Sequence, residues 1–159
     1  SQAIREACTQ FVATRTTEGE HLKQDLVEKL HHMRDNVDKV EQRAPQIIAE
    51  YRSKLMEKVN ELLGDTQIDE ARLSTEIVLF ADKICTDEET VRLKSHITSM
   101  LNALERSEGI GRKLDFIAQE MNREANTILS KSNDLETSDI AIELKTEIEK
   151  VREQIQNIE

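Results

Sequence analysis

The 159 residues carry 22 Lys and Arg against 32 Asp and Glu, a formal net charge of −10, which excludes a nonspecific polyanion binder working through a broad basic footprint. One proline, four glycines, one tyrosine, three phenylalanines and no tryptophan leave little material for strands or tight turns, so the expected fold class is all-α, with narrow Leu, Ile and Val seams between amphipathic helices. No apolar run approaches the roughly 18 residues of a membrane span, and the N-terminus lacks a signal-peptide pattern, so a cytoplasmic protein that avoids the membrane is expected.

In chain order, Ser1 opens directly into helical pattern without an initiator Met, and the chain is therefore expected to be part of something longer. From Leu22 the apolar residues recur as Leu26, Leu30, Met33, Val37, Val40, Ala44, Ile47, Tyr51, Leu55, Val59 and Leu62. Spacing by threes and fours makes this a coiled-coil-like stripe, which needs a partner helix. Its phase is hardly disturbed at Pro45, so the proline either starts a second helix or kinks one very long one. Residues 1–64 thus read as a long helical hairpin or a kinked coiled-coil-like arm, and 65–159 as a bundle of about four shorter helices.

Leu62, Leu63 and Gly64 followed by Asp65, Thr66 and Asp69 mark a helix end and a fresh start. The next helix turns Leu73, Ile77, Phe80 and Ile84 inward, and its row Arg72, Glu76, Phe80 and Lys83 is structural unless it faces Glu120. Thr86 and Glu89 have the spacing of a capping box, ahead of a helix that buries Leu93, Ile97, Met100 and Leu104. A break at Gly109 to Gly111 precedes a helix over 112–131 and a last one over about 137–157, with Ile140, Leu144, Ile148, Val151 and Ile155 as its seam. Cys8 and Cys85 lack the paired spacing of a zinc site or disulfide framework and are read as reduced thiols. His21, His31 and His32 are expected on the surface or in the seam of the long arm.

The 112–131 helix carries the chemistry. With successive residues about 100° apart, Leu114, Ile117, Ala118, Met121, Ala125, Ile128 and Leu129 share the core face. Opposite them Asp115, Gln119, Asn122 and Asn126 form one row, Glu120 and Glu124 another, with Arg112, Arg123 and Phe116 between. Asn is a mediocre helix former, so such a row points to recognition more than to solvation. Glu120 and Glu124, four apart, can converge on an oxygen-ligated Mg²⁺ or Mn²⁺; alternatively they are solvated acids near Lys113 or Lys131. Arg112 and Arg123 suit bidentate phosphate binding, and Phe116 either stacks on an unpaired base or is buried at an oligomer interface. His96 lies on the side of its helix that also carries Glu89 and Arg92, as a proton-transfer group or a structural histidine.

The segment GRKLDFIAQEMNREANTILSKS resembles the signature helix of the YicC/YloC proteins. The likeness continues in ELKTEIEKVREQIQNIE, DEARLSTEIVLFADKICTDEETVRLKSH, TTEGEHLKQDL and APQIIAEYRSKL, covering essentially the whole chain, and departs from the family at TRTTEG and around Ile84 to Thr86. It implies the C-terminal part of a divalent-metal-dependent endoribonuclease that assembles as a closed homo-oligomer, typically a hexamer, with a further N-terminal region. Carried onto matching positions, the implied signature residues are Arg112, Lys113, Asp115, Phe116, Gln119, Glu120, Asn122, Arg123, Glu124, Asn126, Thr127 and Lys131, joined by Glu76, Lys83, Arg92 and His96.

Two readings follow. In the first, RNA phosphodiester cleavage uses Glu120 and Glu124 to hold Mn²⁺ or Mg²⁺, Arg123 or Lys131 to neutralise the phosphate, and His96 and Asp115 to move protons. Arg112, Lys113, Phe116, Gln119, Asn122 and Asn126 then contact the RNA. In the second, the same polar row is an interhelical network within a non-catalytic oligomerisation scaffold or RNA-binding regulator.

Overall fold

Five amphipathic helices follow from the apolar spacing, and a computed structural model describes them over residues 1–64, 66–106 and 111–157. They are α1 (Gln2–Leu63), α2 (Glu70–Ile84), α3 (Asp87–Glu105), α4 (Gly111–Lys131) and α5 (Leu135–Gln156). The predicted fold class is observed: an all-α chain with one long helix and four shorter ones. The expected fresh start at Asp65 and the break at Gly109 and Ile110 lie outside the described residues.

Of the two readings of residues 1–64, the single helix is the one observed. Pro45 sits inside α1, where it removes one backbone hydrogen bond and crowds the preceding turn. Arg43 offsets the loss: its guanidinium donates to both carboxylate oxygens of Glu50, at 2.8 Å each. Seven residues separate the two, so this bidentate bond clips the helix together across the proline.

At about 1.5 Å per residue the 62 residues of α1 extend about 93 Å, some three times the length of α3, α4 or α5. Only its middle can join a bundle with them. Leu26, Leu30, Met33, Val37 and Val40 supply α1's share of the buried apolar core, completed by α3, α4 and α5. Each large side chain there, such as Ile97, Met121 or Leu144, stabilises the bundle by about 1.5–3 kcal/mol through removal from water. The packing pairs run α1–α3, α3–α4, α4–α5 and α5–α1, so the bundle has a cyclic order. The α3–α4 and α1–α5 seams therefore lie on opposite sides.

Both ends of α1 overhang. Residues 1–21 are exposed throughout, including Ile4, Phe11 and Val12. The other end is covered by α2, whose Phe80 stacks on Tyr51 with ring centroids 3.7 Å apart. Leu73, Ile77, Phe80 and Ile84 are only half-buried, because α2 packs on one neighbour and not within the bundle. Gly64 takes a positive φ of 57° to end α1, and its N–H reaches the Asn60 carbonyl. Asp69 then caps α2 through the Ala71 amide.

Thr86 occupies the N-cap of α3 without a side-chain cap bond, so the expected capping box does not form. Glu89 is buried and turned to other partners instead. Helix α5 starts two residues earlier than its apolar pattern predicts, because Asp134 accepts from both the amide and the hydroxyl of Thr137.

Candidate functional site

The polar face of α4 is divided between its two neighbours. Glu124 and Lys131 lean toward α3, whereas Asp115 leans toward α5, where Arg152 donates from Nε to its Oδ1 at 3.1 Å. Gln119 donates to the other Asp115 oxygen at 2.9 Å. Arg112, Lys113, Phe116, Gln119, Arg123 and Asn126 stay exposed between these edges, with Asn122 half-buried beside them. Phe116 keeps 62% of its surface in solvent, so the stacking platform expected from sequence is at least open to a ligand.

The α3 edge holds a connected charge network. Arg92 donates from Nε to Oε1 of Glu124 at 3.0 Å and from Nη1 to Glu88 at 3.2 Å, and its Nη2 lies 3.6 Å from Glu89. Lys131 donates to Oε1 of Glu89 at 2.9 Å and to the Cys85 carbonyl at 3.2 Å. The acids are inside and the cations outside: the side chains of Glu89 and Glu124 are 5% and 8% exposed, those of Arg92 and Lys131 47% and 37%. The bond to Glu124 first, then that to Glu88, raises the pKa of Arg92, and the bond to Glu89 raises that of Lys131. Both cations therefore remain charged where a phosphate can reach them.

Glu89 is the residue that sequence reasoning missed. Its acidic position in the first turn of α3 fits the helix dipole and the capping-box spacing equally well, and both explanations hide a tertiary role. Its Oε2 is buried and meets no hydrogen-bond partner among the described residues, an arrangement that costs free energy unless something fills it. The available signal was Arg92, one helical turn on.

Glu120 is half-buried, one turn before Glu124. A divalent ion of the Mg²⁺ or Mn²⁺ type takes one or two carboxylates and completes its shell with water and substrate phosphate. Glu120 and the Glu124 oxygen that Arg92 does not use fit that donor set; the Arg92 bond is the competing interaction. His96 is half-buried on α3, on the same helical face as Arg92. Asp115, paired with α5, is not drawn into the α3 network. On α2, Arg72, Glu76 and Lys83 are exposed, and α2 packs on α1.

Sequence comparison finds relatives of this chain among known proteins. The family model described as endoribonuclease YicC-like, C-terminal, matches residues 40–159. A Clostridioides difficile protein named probable endoribonuclease YicC is 42% identical over 160 residues, covering 100% of this chain and 55% of its own length. A Haemophilus influenzae protein of the same name is 37% identical over 157 residues, covering 99% of this chain and 54% of its own. The chain thus spans about half the length of these relatives.

Proposed function

The chain belongs to the YicC-like family, in its C-terminal region, and from that premise we propose that it is the helical part of a divalent-metal-assisted endoribonuclease whose α3–α4 edge meets the scissile phosphate. The observation that carries this reading is the outward-facing pair Arg92 and Lys131, seated on the buried acids Glu124 and Glu89. A chain of net charge −10 meets RNA only through such a local patch. Arg92 and Lys131 neutralise phosphate charge that grows in the transition state, and Arg112, Lys113 and Arg123 hold neighbouring phosphates. Phe116 stacks a base, and Gln119, Asn122 and Asn126 donate to the strand. Glu120 and Glu124 would hold Mn²⁺ or Mg²⁺, which supplies charge stabilisation to the phosphoryl group when bound. His96 moves the proton on this edge. Asp115, on the far edge, positions α4 against α5.

The same reading includes a homo-oligomer, supported by the exposed Ile4, Phe11 and Val12, with the hexamer as its expected size. Cytoplasmic residence is supported by two exposed free cysteines, Cys8 and Cys85. No helix among the described residues is long and apolar enough to cross a membrane.

The test is incubation of the full-length parent and of this chain with an end-labelled structured RNA in Mn²⁺, Mg²⁺ or EDTA, beside Glu120→Ala/Glu124→Ala. Internal cuts that require metal and vanish in the variant are expected. Cutting that persists in the variant removes the site from α4.

One observation favours a scaffold reading: Arg92–Glu124, Lys131–Glu89 and Arg152–Asp115 each tie α4 to a neighbouring helix. That reading requires substitutions in the row to lower oligomer stability before RNA cleavage, with EDTA inert.

A further inference from the structure

On the side of the bundle opposite the α3–α4 edge, α1 and α5 run antiparallel, with Asp25 of α1 beside Gln154 of α5 and Arg43 beside Asp134. Midway along this seam His32 faces two glutamates one turn apart on α5. Its Nδ1 lies 2.5 Å from Oε1 of Glu147 and its Nε2 3.9 Å from Oε1 of Glu143. One ligand atom from each of the three falls within 4.8 Å of the others, close enough for a single ion to touch all of them.

The carboxylates here are not matched by a basic side chain, as those of Glu124 and Glu89 are at the α3–α4 edge. Among the described residues no lysine or arginine pairs with Glu143 or Glu147. Lys29, one turn earlier on α1, is held by Asp25 at 2.6 Å. Two carboxylates at i and i+4 repel one another, and the single imidazole between them can offset at most one negative charge. Glu147 is moreover largely buried, and its Oε2 meets no hydrogen-bond partner among the described residues. The seam thus carries an acidic charge, an imidazole and a buried oxygen without a donor at one point.

We propose that His32, Glu143 and Glu147 form a binding site for a divalent first-row transition metal, Zn²⁺ being the ion of best fit, which clips α1 to α5. The donor set selects the metal class. An imidazole beside carboxylates suits Zn²⁺ and its neighbours better than Mg²⁺ or Ca²⁺, which take oxygen ligands. Three protein ligands leave a fourth tetrahedral position for solvent, and at this half-exposed place water reaches it. The consequence is a covalent-like brace between helices whose ligands lie 115 residues apart in sequence. The proposal is independent of the RNA reading, because the site lies on the other seam and binding is read without any cleavage assay.

The experiment uses the whole chain stripped with EDTA, titrated with ZnCl₂ by calorimetry and followed by thermal melting, with Co²⁺ absorption as the probe of ligand geometry. About one equivalent per chain is expected at micromolar affinity or tighter, with a rise in Tm. His32→Gln and Glu147→Gln should each weaken binding roughly tenfold or more and abolish the Co²⁺ bands, while metal-free Tm stays near that of the parent. Glu143→Gln, at an exposed position, is the third variant if either of the others fails to fold. Glu120→Ala/Glu124→Ala should leave this equivalent in place. The proposal is overturned if Zn²⁺ binds more weakly than about 1 mM, or if the three variants bind as the parent does.

Discussion

The α1–α5 seam and the α3–α4 edge are built from the same residue types and solve opposite problems. At the first, Arg43 and Asp134 are both largely enclosed, 14% and 13% exposed. Asp134 accepts from Arg43 Nε and Nη2 at 3.2 and 3.0 Å while also capping α5. Every donor of that guanidinium is directed at the protein, including Glu50 and Glu136. At the second, only the acids are enclosed, and Arg92 and Lys131 keep an open side. The lesson is that the orientation of an ion pair matters more than its presence. Acid-inside pairs place positive charge on the surface of an acidic chain, whereas a pair enclosed on both sides makes a latch.

The sharpest way to break that contrast is to remove one cation from each region. Lys131→Ala in the full-length protein should slow RNA cleavage by roughly 100-fold, the usual consequence of losing one transition-state charge contact. Arg43→Ala should lower Tm and leave the rate of the folded protein essentially unchanged. Equal losses of rate in the two variants would mean that cleavage merely reports bundle integrity.

A smaller effect tests the latch. Asp134→Ala should cost about 1–2 kcal/mol from the N-cap alone, read by urea denaturation at neutral pH. The hydrogen bonds from Arg43 first, then those from Thr137, hold the Asp134 carboxyl at about 2, against an ordinary value of 3.8, with partial burial opposing them. A depressed carboxyl stabilises the fold above its ordinary value and loses that contribution as pH falls through its folded one. The Tm gap between the parent and Asp134→Asn should therefore be full above about pH 4 and close toward pH 2. A gap that is independent of pH would assign the latch to packing rather than to charge.

Sequence periodicity made the helices legible because burial in a bundle repeats every three or four residues, and the α1 seam Leu26 to Val40 reads directly. Pro45 was legible only as an ambiguity, since the bond that spans it comes from Arg43 and Glu50, residues that look like any exposed pair. Glu89 was misleading for a related reason: local capping and a tertiary bond to Lys131 demand the same residue at the same place, and tertiary packing won. On α4 the candidate residues were legible together because one helix carries them all. Their division between the Asp115 and Glu124 edges was not, because it depends on where α3 and α5 lie. The His32 cluster left no signal, as Glu147 sits 115 residues away and the three become neighbours only when α1 and α5 pack.

The smallest expected effect separates the exposed ridge of α4 from the seam behind it. Arg123 is exposed and forms no ion pair with another of the described residues, so its removal should leave Tm unchanged. If it contacts one phosphate, Arg123→Ala weakens RNA binding several-fold and reduces the slope of log Kd against log salt by about 0.7, the counterion release of one single-strand phosphate. Lys150 on α5 is also exposed and serves as the matched control. Lys150→Ala removes the same formal charge from the molecule, so any change caused merely by net charge appears in both variants. A slope altered equally by the two would spread RNA binding over the whole surface and remove the distinction between the regions. A slope altered by Arg123→Ala alone would place the strand on the ridge, beside the cations that Glu124 and Glu89 hold outward.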